Sequence, residues 1–192
     1  MQASAAALCG GFAAVRLERV FAACFARDHH TRLIGGAREP LYQPSHAPGQ
    51  PHRLFYREDY FASALHEVAH WCIAGPARRQ QVDFGYWYTP EGRSAGAQCA
   101  FEAVEYKPQA LEWFFAKACG YRFRLSSDNL AALGGELPDS AAFAQRVLQQ
   151  ARHWRSHGLP LRAGIFYRGL CDEFGTHCGS DTLPFELAEL TA

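Results

Sequence analysis

The sequence carries no surplus of charge of either sign. Lys+Arg and Asp+Glu both number 19 in 192 residues, so no global field draws the chain to nucleic acid or to an anionic membrane. No run approaches the ~20 apolar residues that a membrane span needs, and there is neither an internal repeat nor a low-complexity linker. A CxxC pair is also missing. The seven cysteines (Cys9, Cys24, Cys72, Cys99, Cys119, Cys171 and Cys178) are odd in number and widely scattered. That pattern argues for reduced thiols rather than a disulfide framework or a structural zinc knuckle. The alanine-rich start has no Lys or Arg before it, and Arg16, Glu18 and Arg19 interrupt the apolar run early, unlike a secretory signal. The chain is expected to be a soluble, cytoplasmic protein.

What is present is an ordinary globular composition, 48% hydrophobic and 20% charged, at a length that suits one domain over residues 1–192 with a sizeable core. Val15, Leu17, Val20, Phe21, Cys24 and Phe25 suggest one face of a first amphipathic helix. "TRLIGGAREPLYQPSHAPGQPHRLFY" mixes short apolar runs with Gly and Pro and predicts short strands and loops. From Asp59 to Ala74 the period becomes helical through Phe61, Leu65, Val68 and Cys72, with Asp59 as the expected cap and Gly75-Pro76 as the stop. Val82–Tyr88 is expected to be extended. A long helix follows from about Ala97 to Cys119, with a break or kink expected at Pro108. A helix capped by Asp139 or Ser140 and stopped by Gly158, and a shorter one in "LRAGIFYRGLCDEFG", complete the reading. The fold class is α+β, mostly helical, with few strands.

One stretch carries chemistry: "SALHEVAHWCIAG", residues 63–75. His66 and His70 are four apart, ~400° round an α-helix, so both imidazoles lie on one face and can bind a single metal ion. Glu67 lies ~100° away, towards bound water or substrate. By chance, HExxH arises in roughly 3% of chains with this His and Glu content. Here it sits among Leu65, Val68, Ala69, Trp71, Cys72 and Ile73, an interior setting in which histidines need partners. Three protein ligands with open positions mean catalysis rather than structure. The third is sought in "FEAVEYKPQALEWFF", where Glu102, Glu105 and Glu112 lie on an aromatic-rich helix and an unpaired charge is costly. Glu105 precedes the Pro108 irregularity, and Glu102 is its rival. A second i,i+4 pair, His153 and His157, lies on a Gln- and Arg-rich helix and reads as surface. Two histidines and a carboxylate serve either zinc, with Glu67 as general base of a peptidase, or iron(II). A metal that only braces two helices is the third possibility.

The strings "SALHEVAHWCIAGPARRQQVDFGYWY", "VEYKPQALEWFFAKACGYRF" and "SSDNL", with "TRLIGG" and "EPLYQP" upstream, resemble the bacterial elongation factor P hydroxylase family over roughly residues 20 to 130. The resemblance implies an iron(II)-dependent monooxygenase-type enzyme that hydroxylates a lysine of elongation factor P already extended by a β-lysyl group. It implies a topology similar to HExxH metalloproteases, a zincin-like core, and His66, His70 and Glu105 as metal ligands. Glu67 matches the motif glutamate as a catalytic residue. The absence of an HxD pair with a distant His, and of a run of alternating strands, fits this by disfavouring a jelly-roll oxygenase. A long cationic substrate calls for a carboxylate and aromatic walls. In "VDFGYWY", Asp83 is the expected amine partner, with Tyr86 and Tyr88 on one strand face and Trp87 on the other. Arg78 and Arg79 are expected to meet acidic surface on the protein partner.

Overall fold

The computed structural model describes residues 11–83, 95–126 and 140–191. Within these, α1 (Ala14–Phe25) leads into three strands, β1 (Thr31–Ala37), β2 (Leu41–Gln43) and β3 (His52–Arg57). Helices α2 (Phe61–Ile73), α3 (Ala95–Cys119), α4 (Ser140–His157) and α5 (Leu161–Phe174) follow. The sheet order is β1-β3-β2, with β1 parallel to β3 and β2 antiparallel to it. The described part is therefore mostly helical with a small mixed sheet. No described helix is long and apolar enough to cross a membrane.

On α1, Leu17, Val20, Phe21 and Phe25 are buried as their spacing requires. Val15 departs from the expected face and is 56% exposed, because two residues from Leu17 means ~200° round the helix. Glu18 ties this helix to the sheet by accepting from the Gly35 backbone N–H at 3.0 Å and from the Tyr56 hydroxyl at 2.9 Å. Gly35 permits that closeness, since a Cβ there would stand 2.6 Å from the Tyr56 oxygen. Gly36 follows with φ +84°, where the β1–β3 register shifts between Ile34 and Ala37; glycine supplies that left-handed backbone without a steric cost.

Helix α2 differs at its start from the sequence expectation. Tyr60, not Asp59, occupies the cap position, and no side chain caps it. Its other end is held from a distance. Arg162 of α5 donates to the carbonyls of Trp71, Cys72 and Ala74 at 3.0, 3.0 and 2.6 Å and lies 4.8 Å from the Trp71 ring centroid. A cation on the last carbonyls complements the helix dipole, so Arg162 anchors the helix that carries both histidines. Arg162→Met is expected to cost about 2–3 kcal/mol through the lost charge-assisted bonds. A thermal melt then shows Tm lowered by roughly 4–12 °C for a chain of this size.

Helix α3 runs unbroken through Pro108. Proline removes one backbone donor, but Ala110, Leu111, Trp113, Phe114, Phe115 and Ala116 beyond it are all buried. Fully burying each large side chain contributes ~1.5–3 kcal/mol, and the packing keeps the helix in one piece. This helix crosses α2, α4 and α5 and so faces the HEVAH turn. Gly120 (φ +66°), Gly158 (φ +90°) and Gly175 (φ +71°) adopt the left-handed conformation just past α3, α4 and α5, as C-terminal caps favour. His153 and His157 are exposed on α4, and Asp139 lies outside the described residues.

Candidate metal centre

His66 and His70 project from successive turns of α2 towards α3, and their Nε2 atoms stand 3.0 Å apart. Glu105 of α3, 4% exposed, reaches both. Its Oε1 is 3.2 Å from His70 Nε2 and its Oε2 is 3.5 Å from His66 Nε2. One ligand atom from each of the three residues falls within 4.8 Å of the other two. Two imidazole nitrogens this close to each other and to one carboxylate could hold a cation among them. The donor set, two imidazoles and an oxygen, suits a borderline divalent ion such as zinc or iron(II). The residues present therefore fit a bound metal.

Glu102 takes no part. It accepts from the Gln98 side chain at 3.0 Å, one turn earlier on α3. Glu112, two turns beyond Glu105, accepts from or shares a proton with His66 Nδ1 at 2.8 Å. With no metal present, burial works against a charged His66, but the Glu112 hydrogen bond and the charges of Glu112, Glu105 and Glu67 outweigh it. The imidazole is pushed up to about 10. Burial raises Glu67 and Glu112 above the ordinary carboxylate range, while the neighbouring histidines hold them back.

A small cavity opens beside the centre. Glu67, His70, Tyr42, Trp71, Arg79 and Asp83 are among the residues that line it. Asp83 is carried there by backbone pairing with the edge strand: Tyr42 N–H donates to Asp83 O at 2.7 Å and Asp83 N–H to Tyr42 O at 3.0 Å. Its carboxylate is gripped by the Arg78 guanidinium through Nε and Nη2. Arg78 is thus paired within the chain, and both it and Arg79 line the cavity. Tyr86, Trp87 and Tyr88 lie outside the described residues. The Glu112–His66 contact and the cavity walls Tyr42 and Trp71 were missed by sequence reasoning. The seven-residue step from Glu105 to Glu112, which places both on one helix face, was the available signal for the first.

Two histidines one turn apart, opposed by a buried glutamate from a facing helix, define a protein with a candidate two-histidine, one-carboxylate metal centre. Comparison with known sequences narrows the class. The family described as elongation factor P hydroxylase matches residues 20–182. The Haemophilus influenzae protein named elongation factor P lysine hydroxylase is 40% identical over 168 residues, which cover 88% of this chain and 93% of that protein. The chain belongs to the elongation factor P hydroxylase family.

Proposed function

We propose that this protein hydroxylates the β-lysylated lysine side chain of translation elongation factor P, at an iron(II) ion held by His66, His70 and Glu105. The observation that carries the reading is the convergence of those three ligand atoms in a chain of this family. The reading extends to the core, where HEVAH-bearing α2 lies against a small mixed sheet and faces carboxylate-bearing α3; we infer a zincin-like arrangement. Bound iron(II) supplies the oxygen chemistry that an unactivated C–H bond requires. The chain's own residues do the rest. His66, His70 and Glu105 fix the ion's place, and burial pushes the Glu67 carboxyl beside them above the ordinary carboxylate range. Tyr42 and Trp71 wall the cavity, which restricts the pose of a flexible side chain. Tyr86 and Tyr88 are assigned further wall positions on sequence alone.

Mass spectrometry of β-lysylated elongation factor P incubated aerobically with iron-loaded enzyme and a reductant is the direct test. One added oxygen on the modified lysine supports the reading; an unchanged mass refutes it. A zinc peptidase has one observation in its favour, the position of Glu67 beside His70 in the cavity, where a general base for bound water would stand. Casein cleavage by the zinc-loaded protein, with no oxygen added to elongation factor P by the iron-loaded one, selects that alternative.

Asp83 is assigned to the substrate amine. A carboxylate accepts at roughly four lone-pair sites, so the Arg78 fork and an ammonium are compatible partners for it. Asp83→Asn is expected to retain full metal content and to raise KM about tenfold or more, the equivalent of one hydrogen bond to a charged group. Steady-state kinetics on the folded, metal-loaded variant check this. Wild-type KM and rate would remove Asp83 from the substrate site.

A further inference from the structure

The His66 ring is held on both edges by one helix. Glu105 approaches its Nε2, and Glu112, seven residues on, meets its Nδ1 at 2.8 Å. Glu112 is only 8% exposed, on a stretch of α3 whose Leu111, Trp113, Phe114 and Phe115 are also buried. A carboxylate in such surroundings is costly unless it is paired, and the hydrogen bond to His66 is what pairs it. Neutral imidazole carries its single proton on one nitrogen or the other, and the hydrogen bond made by one nitrogen decides which remains a lone pair. An acceptor at Nδ1 places the proton there. That leaves the lone pair on Nε2, the nitrogen facing His70 and Glu105.

We propose that Glu112 is a positioning residue of the metal centre: it accepts the Nδ1 hydrogen of His66, fixing the tautomer and ring orientation in which Nε2 binds the metal. The inference rests on the metal-centre reading given above. Glu112 touches neither substrate nor metal and acts through His66 alone. A carboxylate in this place also makes the imidazole a stronger donor to the ion. The contact joins α2 to α3 at the level of the motif, so the pair fixes the ligand geometry together with the packing of the two helices.

The test uses zinc alone as a probe, by chelator competition on wild-type protein, Glu112→Ala and Glu112→Gln, with Glu102→Ala as a control outside the centre. The dissociation constant is expected to rise about 10- to 100-fold in Glu112→Ala. Glu112→Gln, which keeps an acceptor oxygen, falls clearly nearer to wild type, and Glu102→Ala matches it. NMR of the zinc-loaded wild-type protein adds a signature that helix packing alone would not produce, a His66 Nδ1–H resonance protected from solvent exchange. Wild-type zinc affinity in folded Glu112→Ala overturns the proposal, as does an unprotected Nδ1–H in the wild-type protein. Should Glu112→Ala not fold, the proton signature decides. Failure of the wild-type protein itself to bind zinc or iron instead refutes the metal-centre reading, and this inference with it.

Discussion

His66→Ala and His70→Ala are each expected to purify without metal and without hydroxylase activity. Removing either imidazole leaves one nitrogen and one carboxylate, which do not hold a divalent ion against buffer and water. A four-ligand zinc site is worth ~10–16 kcal/mol, so each ligand accounts for about 3 kcal/mol, and affinity falls about a hundredfold or more. Elemental analysis after desalting reads this directly, and wild-type metal content in either variant sinks the assignment. The two variants separate in stability. His66 is hydrogen bonded to buried Glu112, so His66→Ala leaves a carboxylate with its main partner gone, a loss that costs about 3–5 kcal/mol when a buried pair is broken. Among the described residues, His70 meets a carboxylate only through its Nε2, at Glu105. Metal-free thermal melts are therefore expected to place His66→Ala below His70→Ala.

The parts of this arrangement that the sequence made legible are those governed by local periodicity. The HEVAH helix could be read because Phe61, Leu65, Val68 and Cys72 recur at helical steps, and all four are buried. The four-residue spacing of the histidines needed nothing beyond α-helix geometry to put them side by side. Where the reading failed, a distant contact replaced a local signal. The Asp59 cap was a local guess, yet α2 is anchored at its far end by Arg162, 91 residues from Trp71. Pro108 argued for a break or a kink, and α3 continues through it as one helix. The Glu112–His66 pair joins residues 46 apart in sequence and depends on the relative rotation and slide of two helices, which no single-helix pattern encodes. The cavity wall at Asp83 needed the return of the chain onto Tyr42. The place of Glu105 just before Pro108, together with a resemblance to a known family, favoured it over Glu102.

That choice gives the last expected result. Glu105→Ala should lose its metal, and Glu102→Ala should keep it. The two residues are three apart on α3, and helical spacing alone leaves both on neighbouring parts of one face. The structure separates them by what they touch. Glu105 is 4% exposed and contacts the Nε2 atoms of both histidines, so its removal deletes the proposed oxygen ligand and leaves two partly buried imidazoles without the charge that balances a cation. Glu102 spends its carboxylate on Gln98, a same-helix pair of the kind worth ~0.2–0.5 kcal/mol. Its removal is expected to change metal content and Tm little. Glu105→Gln sharpens the comparison, because it preserves volume while replacing the carboxylate with a weak neutral ligand. It should fold like wild type and still bind iron or zinc far less tightly. Elemental analysis of all three variants, prepared side by side, reads the outcome. A metal-free Glu102→Ala beside a metal-loaded Glu105→Ala would exchange the two roles and move the open side of the centre one helical turn towards the start of α3.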